Sequence, residues 1–267
     1  MLIPKILYKY IDIYKTQIRN NIIRETLFRS NLIASIMIDF IWLSIEFILF
    51  EVIYGHVTYL GSWTKYEAFF LLGFFFCADS IYVMLFQYNF WRFGTLVTKG
   101  ELDTVLTKPV NPLFLILSRW IHIPALLNIT FGLCIMAYYS QHVGFNWVER
   151  GPVLVFWMVI SVVIQILMRF LFSVSVFWTD SNGSIARLYY TFYAFSTKPH
   201  QILQKYLQKI LLTVLPFALI ASVPTSHLLK VHDTFKLYYL FYIFGFYFVL
   251  NRFLWKAGLR RYQSASS

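Results

Sequence analysis

Six long apolar blocks, roughly 32–54, 67–91, 120–140, 152–178, 210–229 and 237–254, alternate with shorter polar connections. Each approaches the ~20 residues that an α-helix needs to cross ~30 Å of hydrocarbon. The pattern predicts an all-α, polytopic membrane protein with six transmembrane helices. Ahead of them, Ile3, Leu7, Ile11, Tyr14, Ile18 and Ile22 recur every three or four residues, with Lys5, Lys9, Asp12, Lys15 and Arg19 on the other side. That period predicts an amphipathic helix lying in the membrane interface, with Pro4 near its first turn. The expected layout is an interfacial helix over 1–30, a six-span domain over 31–255 and a tail over 256–267. The fifth block departs from a plain span, because Pro216 and Pro224 interrupt it and its second half also reads as a bent or re-entrant segment.

A long polar interruption, residues 92–119, separates the second and third blocks. Its centre, from Lys99 to Pro112, reads as a short helix between breakers. Gly100 opens the turn, and Glu101 and Asp103 sit where the helix dipole favours anions. Lys108 lies at the opposite end, Pro109 forbids continuation, and Asn111-Pro112 follows. Leu102 and Leu106, four apart, share a face and are expected to fill an apolar cleft of a partner. A rigid element of this kind at a membrane surface suits docking more than catalysis. A capped, solvated turn is the plainer reading of the same pattern.

Composition agrees with a membrane protein: 59% hydrophobic, 21% aromatic and 13% charged lies far outside the soluble balance. The net charge of +11 is scattered in clusters between apolar blocks, which argues against a nucleic-acid face. Cys77 and Cys134 both fall inside apolar blocks, so no disulfide framework or Cys metal cage is expected. No signal peptide is expected either. The Lys and Arg residues set the orientation. With both termini cytoplasmic, the inner side carries six in the first helix, four in the 92–119 loop, four in the 179–209 loop (Arg187, Lys198, Lys205, Lys209) and four in the tail. Lys65, Arg150, Lys230 and Lys236 are left outside, an asymmetry that predicts inner termini. The 179–209 loop opens on the turn Asp180-Ser181-Asn182-Gly183 and offers a second surface helix over Gln201–Ile210.

No phosphate-binding Gly-x-x-x-x-Gly-Lys-Ser/Thr loop occurs, so ATP-driven work would need an ATPase in a separate chain. Asp39, Glu46 and Glu51 in the first span, Asp79 in the second and Arg169 in the fourth are costly at such depth. Asp39 and Arg169 lie ~12 and ~13 Å from the inner ends of their spans and form the expected ion pair. Glu46 and Asp79 fall near mid-membrane, as a polar pathway or as hydrogen-bonded glue between helices. The six histidines include no pair at i, i+4, so a metal site is not expected. His122 and His227 are the suspects for a membrane acyltransferase, although an isolated His at a helix end is usually an interfacial hydrogen-bonder.

The string Lys99-Gly100-Glu101-Leu102-Asp103, with Leu106 and Lys108-Pro109-Val110-Asn111-Pro112-Leu113-Phe114, resembles the signature of one branch of the ABC-2 type transporter permeases. The tail, Trp255-Lys256-Ala257-Gly258-Leu259-Arg260-Arg261-Tyr262-Gln263-Ser264-Ala265, is similar to that family's closing motif, and Pro216 with Pro224 to its late proline pair. The resemblance implies the permease subunit of an ATP-driven exporter in a bacterial inner membrane. Such a permease dimerises with an identical or sister chain among the membrane lipids and docks on cytosolic ABC ATPase subunits. It carries no cofactor and is not itself an enzyme; ATP and Mg sit on the ATPase. An ion-coupled secondary transporter working through Asp39, Glu46 and Asp79 is the main alternative, and a membrane-embedded enzyme the next.

Overall fold

A computed structural model describes residues 2–179, 183–231 and 235–262. Its elements run α1 (Leu2–Leu27), α2 (Arg29–His56), a two-stranded antiparallel hairpin β1 (Tyr59–Leu60) and β2 (Trp63–Thr64), α3 (Lys65–Tyr82), a π-helical turn (Val83–Gln87) and α4 (Tyr88–Thr98). They continue with α5 (Asp103–Leu106), α6 (Pro112–Ser118), α7 (Ala125–Ser140), α8 (Trp147–Val174) and α9 (Val176–Thr179). Last come α10 (Gly183–Tyr193), α11 (Lys205–Leu212), α12 (Ser222–Leu229) and α13 (Tyr238–Arg261), with 3₁₀ turns at Ala194–Thr197, His200–Ile202 and Phe217–Leu219. The chain is an all-α membrane protein. Arg29–His56, Lys65–Thr98 and Trp147–Thr179 are long and apolar enough to cross a bilayer, and Ala125–Ser140 is apolar but shorter.

The bundle has two ends, one carrying the hairpin and one carrying residues 99–112. Thr64 starts α3 at the hairpin end with a capping box, its hydroxyl accepting from Glu67 N–H while Glu67 Oε2 accepts from Thr64 N–H. Helix α3 then packs on α7 with almost nothing between the backbones. A Cβ on Gly73 would lie 3.0 Å from the Gly132 carbonyl oxygen, and one on Gly132 would lie 2.9 Å from the Cys77 nitrogen. Small residues are what allow such approach in lipid, where close packing replaces the hydrophobic effect as the force between helices. The π-helical turn beyond Tyr82 frees backbone groups, and the Met84 carbonyl accepts instead from His122 N–H at 2.8 Å.

The fifth block is not one span. Ser161 Oγ donates to the Ile220 carbonyl at 2.5 Å, deep along α8, whereas Trp157 Nε1 meets His227 Nδ1 at 3.1 Å and Arg150 reaches the Leu228 carbonyl at 2.7 Å. As α8 is followed back to its hairpin end, its partners advance from 220 to 228. Residues 205–229 therefore dip into the bundle and return, with Pro216 at the inner bend.

The crossing itself falls in α10. Tyr189 lies against Phe172, and Tyr193 lies 3.5 Å from Gln165, so α10 runs antiparallel to α8. The chain then reaches the hairpin, where Trp63 Nε1 donates to Gln201 Oε1 at 3.1 Å. The expected inner loop 179–209 is thereby corrected: Lys198, Lys205, Lys209 and the helix beginning at Lys205 lie toward the hairpin end. The apolar stretch Leu188–Phe195 is shorter than the usual span, and its Tyr-rich composition hid it from a length criterion. The turn Asp180-Ser181-Asn182, His232 and Gln263–Ser266 lie outside the described residues.

Candidate functional site

Helix α4 carries the chain past Arg92 to Thr98, and Gly100, at φ +70°, reverses it. This is the left-handed region where glycine is favoured. The single helical turn α5 follows, and Asn111 starts α6 by accepting from Leu113 and Phe114 N–H at 2.9 and 3.4 Å, with Pro112 in the first position. The breakers therefore act as expected, although α6 itself was not foreseen.

The apolar side of the turn faces inward. Leu102 is 0% exposed and Val105 5%. They join Phe93, Phe177 and Trp255 in one apolar cluster, with Leu106, Leu259 and Tyr262 packed against it. The expectation that Leu102 fills a partner's cleft is corrected: it is the plug that holds the turn in its own chain. A fully buried leucine contributes about 1.5–3 kcal/mol. Glu101, Thr104, Thr107, Lys108, Pro109 and Asn111 form the exposed side. Tyr262 stands beside Leu102 and Asp103, and its phenol is raised above its ordinary pKa by burial and then by the Asp103 carboxylate. The two stretches that carry the resemblance thus share one cluster.

Helix α1 lies along the same region through its polar side. Lys9 Nζ donates to the Pro109 carbonyl at 2.8 Å, and Asn111 N–H donates to Tyr10 Oη at 3.1 Å. Ser118 Oγ lies 2.9 Å from Gln17 Oε1, and Asn21 Nδ2 donates to the Arg119 carbonyl at 3.0 Å. Leu7, Ile11 and Ile22 remain exposed, as an interfacial helix requires. Tyr10, Gln17 and Asn21 lie outside the apolar repeat that marks α1 in the sequence, though their spacing of seven and four puts them on one helical face.

Asp39 and Arg169 do not meet, whereas Arg169 and Asp79 face one tyrosine cluster, in which Tyr189 stacks on Tyr193. Asp39 accepts from Asn128 Nδ2 at 3.0 Å and lies 3.6 Å from His122 Nε2. Arg169 is 3% exposed, with its guanidinium 4.7 Å from the Tyr189 ring centroid and 5.1 Å from that of Tyr190. The expected Asp39–Arg169 ion pair is absent among the described residues: matching depth does not fix azimuth around a helix, and each group finds a nearer partner. Asp79 accepts from the Tyr193 hydroxyl, Glu51 pairs with Lys65 at 2.7 Å, and Glu46 Oε2 is buried with no hydrogen-bond partner among the described residues. Among the described residues no His, Cys, Asp and Glu cluster fits a metal.

The family model described as ABC-2 family transporter protein matches residues 40–266, which includes the 99–112 turn, the core and α13. The chain belongs to the ABC-2 transporter family. This makes it a permease, the membrane component of an ABC transporter, which works with ABC ATPase partners and is not itself an enzyme. No curated protein and no solved structure significantly matches the permease.

Proposed function

We propose that this permease is half of an ATP-driven exporter, which pairs with a second permease and docks on a separate ABC ATPase through the exposed side of the 99–112 turn. Glu101, Thr104, Thr107 and Lys108 would meet the ATPase, where ATP and Mg are bound; Gly100, Pro109, Asn111 and Pro112 hold the turn's shape. The observation that supports this most is the complete burial of Leu102 beneath an exposed polar face. A force on that face passes through Leu102 and Val105 to the ends of α4, α9 and α13, and through Lys9, Tyr10, Gln17 and Asn21 to α1. Closure of the ATPase dimer would then tilt α2, the α3–α4 helix and the re-entrant segment between inward-open and outward-open arrangements, with α1 as brace.

Both termini are placed on the cytoplasmic side in this reading. Moving Lys198, Lys205 and Lys209 narrows the asymmetry of charge, yet the loop end keeps about twice as many Lys and Arg residues as the hairpin end. Cysteine cross-linking tests the docking: Thr104→Cys should cross-link to the ATPase and Val105→Cys should not. Equal yields from the two positions would remove the exposed face from the interface.

A further inference from the structure

We propose that the cleft between α1, α4 and the 99–112 turn binds the phosphate of an anionic membrane lipid headgroup, held by Arg24, Arg92 and Arg119 around Trp120. The cleft measures about 1020 Å³, far more than a free phosphate fills. Its centrepiece is fixed from behind. Asn89, 1% exposed, donates from Nδ2 to the Trp120 carbonyl and accepts from Trp120 N–H at Oδ1, both at 2.8 Å. The guanidinium carbons of Arg24 and Arg92 lie 4.3 and 4.0 Å from the Trp120 ring centroid, and that of Arg119 lies 5.7 Å away.

Three cations gathered on one ring repel one another unless an anion joins them. Arg24 has Glu25 at 3.4 Å, but Arg92 and Arg119 have no carboxylate within ion-pair distance among the described residues. Among the described residues, Glu101 is the one carboxylate in the lining. Guanidinium forks match phosphate oxygens in pairs, which a hydrated lysine does less well.

A second observation comes from Asn21 in the same wall. It is 4% exposed, its Nδ2 donates to the Gln17 and Arg119 carbonyls, and its Oδ1 has no partner among the described residues. That is a buried acceptor in the same lining as the three arginines, which a headgroup hydroxyl would satisfy. Location selects a lipid over a soluble anion. Trp91 in the lining is 57% exposed, and the outward Leu7, Ile11 and Ile22 of α1 place the cleft at the edge of the hydrocarbon. The inference does not rest on docking of an ATPase, and its test uses the permease alone.

Native mass spectrometry of the full chain in detergent, with phosphatidylglycerol or phosphatidylcholine added, decides it. Wild type should retain phosphatidylglycerol about tenfold better than phosphatidylcholine, and Arg92→Gln with Arg119→Gln should lose that preference. Arg260→Gln with Arg261→Gln, which removes two exposed cations at the same end of the bundle, should keep it. Equal loss in the two double variants, or loss in neither, would overturn the site. Displacement of the lipid by millimolar inorganic phosphate would show a soluble phosphate to be the ligand and overturn the lipid assignment. Should the glutamine pair aggregate, Arg92→Lys with Arg119→Lys keeps the charge but not the fork; undiminished retention there would also overturn the proposal.

Discussion

Gly258 on α13 lies directly under the ring of Phe177: a Cβ built on it would stand 2.8 Å from Cε2 and 2.9 Å from Cγ. This contact closes the cluster in which Leu102 is buried. Gly258→Ala forces the ring aside and should destabilise the protein by about 1–3 kcal/mol, as overpacking does. Phe177→Leu in the same chain should recover part of the loss. Thermal unfolding in detergent measures both, and an unchanged midpoint for Gly258→Ala would show that the ring yields freely.

Gly132 makes the corresponding demand on α3. Gly132→Leu cannot be housed against the Cys77 backbone without separating α3 from α7, so monodisperse protein should be lost. Gly245, whose Cβ would meet nothing within 4 Å, is the matched control and should accept the same change. Size-exclusion profiles of the two variants report the difference.

Asp39 and Arg169 should behave as independent sites. In double-mutant cycles, Asp39→Asn and Arg169→Gln should add within about 0.3–0.5 kcal/mol, whereas Asp39→Asn and Asn128→Leu should couple by about 0.5–1.5 kcal/mol. Strong coupling of the first pair would restore the ion pair that matched depths suggest.

The placement of residues 198–209 is open to labelling. In a chain with Cys77 and Cys134 replaced by Ala, Tyr206→Cys and Val148→Cys, at positions 76% and 88% exposed, should react with a membrane-impermeant maleimide added outside cells. Glu101→Cys should react only after permeabilisation. Protection of position 206 from outside would return the 179–209 segment to the inner face.

Much of this was legible in the sequence. Apolar length gave α2, the α3–α4 helix and α8, and the breakers Gly100, Pro109 and Pro112 gave the turn. The crossing at α10 escapes a hydropathy criterion because tyrosines at 189, 190 and 193 lower its apparent hydropathy, while in the fold Tyr189 and Tyr190 lie against Arg169 and Tyr193 donates to Asp79. The direction of Leu102 was equally out of reach. An apolar pair on a short helix reads the same whether the cleft belongs to a partner or to the chain's own α4, α9 and α13.

The most direct measurement is co-purification of the ABC ATPase with a permease carrying Glu101→Lys, Thr104→Arg and Lys108→Glu. These three positions lie on the exposed face, so the variant should remain folded and inserted, since such surface changes usually stay within about 0.5 kcal/mol. ATPase recovery and permease-stimulated hydrolysis should both fall by about tenfold or more, as expected when charge at an interface is reversed. A folded triple variant that retains the ATPase at the wild-type level, with hydrolysis still stimulated, would contradict docking through this turn.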